Sequence, residues 1–124
     1  MTLHRLAVLQ WVGLVLGGAI FAAQFAVGFG VTQAECNAGG AHWGISNDVW
    51  EGTLLGVAVA LVLAAQACSV AVVLGTRRES YEDPPPPGRI RFLAIAAVPA
   101  NVIFLMIILL DGFASMFDVA CRQA

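Results

Sequence analysis

Charged residues are scarce in this chain, and their scarcity excludes most sites that depend on charge. Only 11% of the 124 residues are charged, against about 25% in an average soluble protein. No basic patch is interleaved with aromatic residues, so nucleic-acid binding has no support. The sequence also lacks a Gly-rich phosphate loop, a nucleophile paired with a base, and paired buried carboxylates. We therefore predict no catalytic residues and no enzyme activity.

Apolar sequence is abundant, at 60% of all residues. Three runs without a charged residue cover 6–31, 52–76 and 92–110. Each run is long enough for a helix that crosses a hydrocarbon core about 30 Å thick, which needs roughly 20 residues. The first run is about twice as long as the apolar part of a signal peptide, so we expect a retained helix. These runs predict an all-α integral membrane protein with three transmembrane helices.

A single membrane domain over residues 1–124 accommodates these helices, because only short connections remain between them. Asp48-x-x-Glu51 has the spacing of a capping box, which predicts that the second helix begins near Asp48. The predicted helices span about 3–30, 48–76 and 89–117, with an outer loop at 32–47 and a Pro-rich cytoplasmic loop at 77–88.

The arginines predict the orientation of the chain in the membrane. All six basic residues are arginine, and only Arg122 lies on the face opposite to the others. Cytoplasmic segments close to transmembrane helices are enriched in basic residues. The N-terminus is therefore predicted inside and the C-terminus outside, in a multi-pass membrane protein.

Histidine is too rare to support a haem or a metal centre. His4 and His42 fall on opposite membrane faces in this orientation, so one chain cannot offer two axial histidines to a haem. Cys36, His42 and Cys121 share the outer face and include ligands for copper or zinc, but their spacing matches no metal motif. We predict no metal site and no cofactor, and leave open a bound lipid.

Cysteine is also rare, with three residues in the chain. Cys36 follows the first helix and Cys121 follows the third, so both are predicted on the oxidising outer face, where disulfides persist. We expect a Cys36–Cys121 disulfide, with two free thiols as the alternative. Cys68 lies inside the second helix and is expected to act as a small apolar residue. No C-x-x-C motif supports a thiol–disulfide oxidoreductase.

Small residues and amides mark the expected faces of helix packing. Glycines at four-residue spacing let helix backbones approach closely, and an amide inside a membrane needs a hydrogen-bond partner. Gln66 and Asn101 fall at similar depth, which predicts a hydrogen bond between them. The predicted packing residues are Gly13, Gly17, Gly52, Gly56, Gln24, Gln66 and Asn101.

Three further features concern the prolines and Asp111, and for two of them a structural interpretation competes with a functional one. The four prolines 84–87 favour a stiff polyproline II connector over a PxxP ligand. Pro99 is expected to bend the third helix or free a carbonyl. Asp111 lies near the outer end of that helix, so we interpret it as a hydrated carboxylate, although a proton or cation carrier is the alternative.

Several features recur together in a recognisable arrangement. The first helix contains Gln24-Phe25-x-x-Gly28-Phe29-Gly30 with Cys36 soon after, the last helix opens with Arg89-x-Arg91-Phe92-Leu93, and Cys121 follows it. The chain resembles, over most of its length, small bacterial membrane proteins encoded beside haem–copper (caa3-type) cytochrome c oxidases. His42 and the four prolines are not part of that pattern. The resemblance implies an accessory role at a respiratory oxidase of a bacterial inner (plasma) membrane, and it supplies no catalytic residues.

The predicted function is a non-catalytic accessory subunit of a larger membrane complex of the respiratory chain, most simply a cytochrome c oxidase or a supercomplex. Its expected partners are other membrane subunits, which it would stabilise or bridge, and the lipid bilayer. A small homo-oligomeric transporter or pore is the alternative, for which Asp111 is the candidate residue. A sensor or anchor that uses the Pro-rich loop as a ligand is the third class.

Overall fold

The chain folds into three long α-helices in a computed structural model, which describes residues 2–36, 46–80 and 82–117. α1 spans Leu3–Cys36, α2 spans Asn47–Gly75 and α3 spans Pro87–Phe117. The described residues contain no β-strand. All three helices are long and apolar enough to cross a membrane, over Leu3–Ala34, Asp48–Gly75 and Pro87–Ser115. The predicted all-α transmembrane class is therefore confirmed.

The ends of the helices differ from the predicted boundaries in two places. α1 continues to Cys36, because the residues after Gly30 include no helix breaker and several good helix formers, among them Ala34. α3 begins at Pro87 rather than near Arg89. The predicted Pro-rich loop at 77–88 therefore ends earlier than expected, because a proline such as Pro87 at the first helical position loses no intrahelical hydrogen bond.

The described residues between α2 and α3, 76–80 and 82–86, form turns and bends rather than an extended connector. The Ser80 N–H donates to the Asp83 carboxylate at 2.5 Å, and the Asp83 N–H donates to the Ser80 carbonyl at 3.1 Å. Gly88 is buried, and a Cβ there would overlap the Asp83 carbonyl. Residues 85–86 form a turn that leads into α3, so prolines 84–87 do not form the extended polyproline II spacer that was expected.

The core of the bundle consists of two apolar clusters at different heights. The cluster nearer the Pro-rich loop contains Leu6, Val72, Ile90 and Ala94. The cluster nearer the other end contains Leu55, Ala58, Val62 and Ile108. Between them lies a polar layer of Ser69 and Asn101, which are 0% and 1% exposed. The narrow interior consists mostly of small or β-branched residues, so the three helices can pack closely.

The outer surface of the bundle is strongly apolar. Leu110, Phe29 and Met106 expose 68%, 61% and 59% of their surface. In water such exposure would mark an interaction surface, but in a bilayer it is the normal environment of a helix that crosses the membrane. The exposed apolar surface therefore agrees with the transmembrane assignment.

Candidate functional site: buried polar groups of the bundle

Asn101 connects all three helices at the middle of the bundle. It lies midway along the Pro87–Ser115 span, and its Nδ2 donates to the Gly13 carbonyl at 2.8 Å and to Ser69 Oγ at 3.2 Å. Ser69 Oγ donates in turn to the Ala65 carbonyl at 3.1 Å. One amide from α3 thus binds a backbone atom of α1 and a side chain of α2. This layer sets the rotation and depth of the helices relative to one another.

The Gly-x-x-x-Gly strip of α1 makes this polar layer possible. A Cβ on Gly13 would lie 3.0 Å from the Ser69 nitrogen and 3.2 Å from its Cα, too close for ordinary packing. A Cβ on Gly17 would overlap Asn101 Oδ1 and lie 3.2 Å from its Cγ. The two glycines are therefore packed against the other helices of the same chain, which leaves them unavailable to a partner subunit.

The predicted hydrogen bond between Gln66 and Asn101 is not formed. Gln66 Oε1 and Asn101 Oδ1 are both buried and have no hydrogen-bond partner among the described residues, and the Asn101 donor is used by Gly13 and Ser69. The similar depth of Gln66 and Asn101 in the membrane was therefore the wrong basis for predicting a hydrogen bond between them. Ser69 lies on the buried side of α2 together with Ala65 and Val72, whereas Gln66 is only half-buried.

Glu51 is a buried carboxylate that contacts both other helices near the opposite end of the bundle. It is 5% exposed, and it accepts hydrogen bonds from Thr32 Oγ1 at 3.2 Å and from Ser115 Oγ at 3.4 Å. A Cβ on Gly28 would lie 3.5 Å from each of its carboxylate oxygens. Thr32 and Gly28 belong to α1 and Ser115 to α3, so this carboxylate links three helices.

The capping box predicted between Asp48 and Glu51 is wrong, because the Glu51 carboxylate is used in contacts with α1 and α3. The second helix begins at Asn47, after the N-cap residue Ser46, whose side chain makes no capping hydrogen bond. Glu51 turns toward α1 and α3 instead of toward the start of its own helix. Glu51 precedes the buried residues Leu55 and Ala58 by four and seven positions and so lies on the same face of α2, but only the structure shows that this face points inward.

Glu51 is an acidic side chain buried in the described interior. The two hydrogen bonds that the structure gives it come from neutral hydroxyls. Within the described residues, no group of three or more His, Cys, Asp or Glu side chains comes together.

Arg91 stabilises the other end of α2. Its Nη1 donates to the Thr76 carbonyl at 2.6 Å and to the Val73 carbonyl at 3.4 Å. The last carbonyls of a helix lack intrahelical partners and carry partial negative charge, so a guanidinium there satisfies both requirements. The sequence analysis used Arg91 only as one of the arginines that predict the orientation of the chain in the membrane. In the structure it also stabilises the contact between α3 and the end of α2.

The remaining predicted residues differ in their burial. Gly56 is exposed, and no atom lies within 4 Å of the position that its Cβ would occupy. Gly52 is half-buried and Asp111 is exposed. Gln24 is buried against α2 and lines a groove there.

Neither the disulfide nor the metal alternative is tested by the described residues. Cys36 is the last residue of α1, while Cys121 and His42 lie outside the described residues. The Cys36–Cys121 bond therefore stays a prediction. Cys68 is a free thiol in α2, as expected.

Comparisons of the chain with protein-family models, with curated proteins and with solved structures found no match.

Proposed function

We propose that this chain is a non-catalytic subunit of a larger membrane complex, which it stabilises or bridges through helix contacts. The observation that carries the proposal is the exposed face of α2. Gly56, Ala60 and Ala64 recur there at four-residue spacing, all exposed, with open space above Gly56. Helices associate in membranes through such small residues. The equivalent strip on α1 packs against this chain's own helices, so the strip on α2 is available to another protein.

The proposed complex is a respiratory haem–copper cytochrome c oxidase or its supercomplex in a bacterial inner membrane. The resemblance around Gln24 and Arg91 supports this identification, and the arginine distribution supports a cytoplasmic N-terminus and an outer C-terminus. The chain would take part in electron transport by holding subunits together, without carrying electrons itself.

The test compares a variant in the α2 strip with a matched variant on α3. The chain, tagged at its N-terminus in its native host, is extracted in mild detergent and separated on a native gel, and the band is examined for haem absorption. We expect the wild type and Ala96→Leu, whose site is exposed on α3, to migrate with a large haem-containing complex. We expect Gly56→Leu to insert normally and to migrate as the free chain.

Two results would contradict this proposal. A wild-type chain that migrates alone or as a homo-oligomer without haem proteins would remove the subunit role. Equal co-migration of all three forms would show that the Gly56 strip is not the contact.

A small cation or proton transporter is the second candidate, and Glu51 is the observation that favours it. A buried carboxylate with hydroxyl partners on two other helices is the kind of group that ion pathways use in membranes. Purified chain in liposomes would show ion flux that Glu51→Gln abolishes and Gly56→Leu preserves. Asp111→Asn serves as the control, because Asp111 is exposed. Absence of flux from the wild type supports the subunit role.

A further inference from the structure

Five of the six arginines lie at one end of the bundle, where α1 begins, α2 ends and α3 begins. Leu6 of α1 packs there against Val72 and Ile90, and Arg91 of α3 binds carbonyls near the end of α2. These contacts bring the three helix ends together, so the basic residues beside them share one surface. We call this surface the arginine face. It consists of Arg5, Arg77, Arg78 and Arg89, all of which are exposed.

The arginine face is not neutralised by the acidic residues near it. Glu79, Glu82 and Asp83 lie between α2 and α3, but among the described residues no ion pair joins them to an arginine. The Asp83 carboxylate accepts a hydrogen bond from the Ser80 N–H instead. Five guanidinium groups against three carboxylates leave the side chains of this end with a formal charge of +2.

The helix backbones make the same end more positive. α1 and α3 both begin here, and the first turn of each contains no acidic residue. A helix N-terminus carries partial positive charge, whereas the partial negative charge at the end of α2 is offset by the Arg91 guanidinium. At the opposite end the described residues include Asp48, Glu51 and Asp111 but no arginine. The bundle is therefore electrically polarised along its axis.

The lengths of the helices place the arginine face among the lipid headgroups. The three spans have 32, 28 and 29 residues, or about 42–48 Å at a rise of 1.5 Å per residue. The hydrocarbon core is about 30 Å thick, so each helix extends roughly 6–9 Å beyond it at either end. Arg5 and Arg89 lie two residues from the start of their spans, and Arg77 lies two residues past the end of its span. These side chains are thus at the level of the lipid phosphates.

Arginine is suited to phosphate, and all six basic residues of the chain are arginine. Its planar guanidinium presents a fork of donors that matches two phosphate oxygens, which the point charge of a lysine does not. Apolar side chains continue directly from this face, since Leu74 and Phe92 expose 59% and 57% of their surface. A phosphate held by the arginines could therefore carry acyl chains that lie against these residues.

We propose that the arginine face binds the headgroup phosphate of an anionic phospholipid. The positive charge selects an anionic lipid over a zwitterionic one, and the neighbouring apolar surface selects a lipid over a soluble phosphate. The inference does not depend on the proposed subunit function, because it concerns only the surface of this chain.

Native mass spectrometry of the purified chain in mild detergent tests the inference. The chain is titrated with phosphatidylglycerol and, separately, with phosphatidylcholine of the same acyl chains, so that the lipids differ only in the headgroup. We expect phosphatidylglycerol to bind at least about fivefold more tightly, since one basic residue near an anionic lipid surface contributes about 1 kcal/mol. The preference should shrink when the salt concentration rises from about 0.1 M to about 1 M, because salt screens exposed charges.

Variants of the arginine face test which charges select the lipid. The pair Arg77→Gln and Arg78→Gln should weaken phosphatidylglycerol binding by up to about 25-fold, and Arg89→Gln alone by about fivefold. Neither change should alter phosphatidylcholine binding. The pair Arg77→Lys and Arg78→Lys keeps the charge and should lose less than the glutamine pair. Glu79→Gln is the control of opposite sign, because Glu79 is exposed in the same turn, and it should bind phosphatidylglycerol at least as tightly as the wild type.

Three results would overturn the inference. The first is equal affinity of the wild type for the two lipids, and the second is unchanged binding in both glutamine variants. The third is displacement of phosphatidylglycerol by inorganic phosphate at millimolar concentration, which would identify a site for a soluble anion. Circular dichroism establishes that each variant keeps its helices, and Arg89→Gln keeps the inference open to refutation if the paired variant does not fold.

Discussion

Replacing Asn101 by alanine should destabilise the bundle by about 2 kcal/mol. The substitution removes the hydrogen bonds from Nδ2 to Gly13 and Ser69, and such contacts between membrane helices average about 0.6 kcal/mol each. The lost amide also leaves a void larger than a methyl group, which adds on the order of 1 kcal/mol. Removal of the unpartnered Oδ1 works in the opposite direction, so the total stays within the range of roughly 0.5–3 kcal/mol that is typical of destabilising point substitutions.

The assay is equilibrium unfolding in mixed micelles of mild detergent and SDS, followed by tryptophan fluorescence. A double-mutant cycle isolates the Asn101–Ser69 contact, since Ser69→Ala removes only one acceptor of the amide. The coupling should be about 0.6 kcal/mol, whereas Ser115→Ala, near the far end of α3, should show coupling below about 0.3–0.5 kcal/mol. A cost below about 0.5 kcal/mol for Asn101→Ala, or equal coupling to both serines, would refute the role assigned to this layer.

Three further predictions follow from the packing and the chain orientation. Gly17→Ala should cost about 1–3 kcal/mol, because the new Cβ displaces the Asn101 amide. Gly18→Ala, whose Cβ would lie 3.4 Å from the Phe104 ring, should be neutral or stabilising by up to about 1 kcal/mol in the same assay. Mass mapping of non-reduced peptides from native membranes should find Cys36 linked to Cys121, and free thiols at both positions would exclude the bond. A cysteine introduced at Ser80 should resist an impermeant thiol reagent in intact cells, whereas ready labelling would invert the predicted orientation.

The glycines show how far spacing alone can predict a contact. Gly13, Gly17 and Gly56 occur in identical small-xxx-small patterns, and all were predicted to lie at helix interfaces. The first two pack inside the chain and the third faces outward. The pattern identifies a smooth strip on a helix, but it carries no information about which neighbour the strip faces.

Spacing cannot identify the neighbour because this bundle is surrounded by lipid rather than by water. In a water-soluble protein the polar face of a helix identifies its exposed side, because burial follows hydrophobicity. Here α2 is apolar on all sides, with Val62 buried at 0% exposure and Leu63 beside it 50% exposed. Lipid is as apolar as a leucine side chain, so hydrophobicity cannot distinguish the two environments. The side of α2 that packs inward could therefore not be predicted from periodicity in hydrophobicity.

By itself the sequence determined the class of the protein, the number of helices and most of their extent, because the length of an apolar run is set by the thickness of the bilayer. Only the tertiary structure decided how the polar residues are used. It paired Asn101 with Gly13 and Ser69, buried Glu51 between Thr32 and Ser115, and left Gln24 without a donor to its Oε1 among the described residues. These pairings depend on the rotation of each helix about its axis, which small residues and hydrogen bonds set jointly across three helices rather than within any one of them.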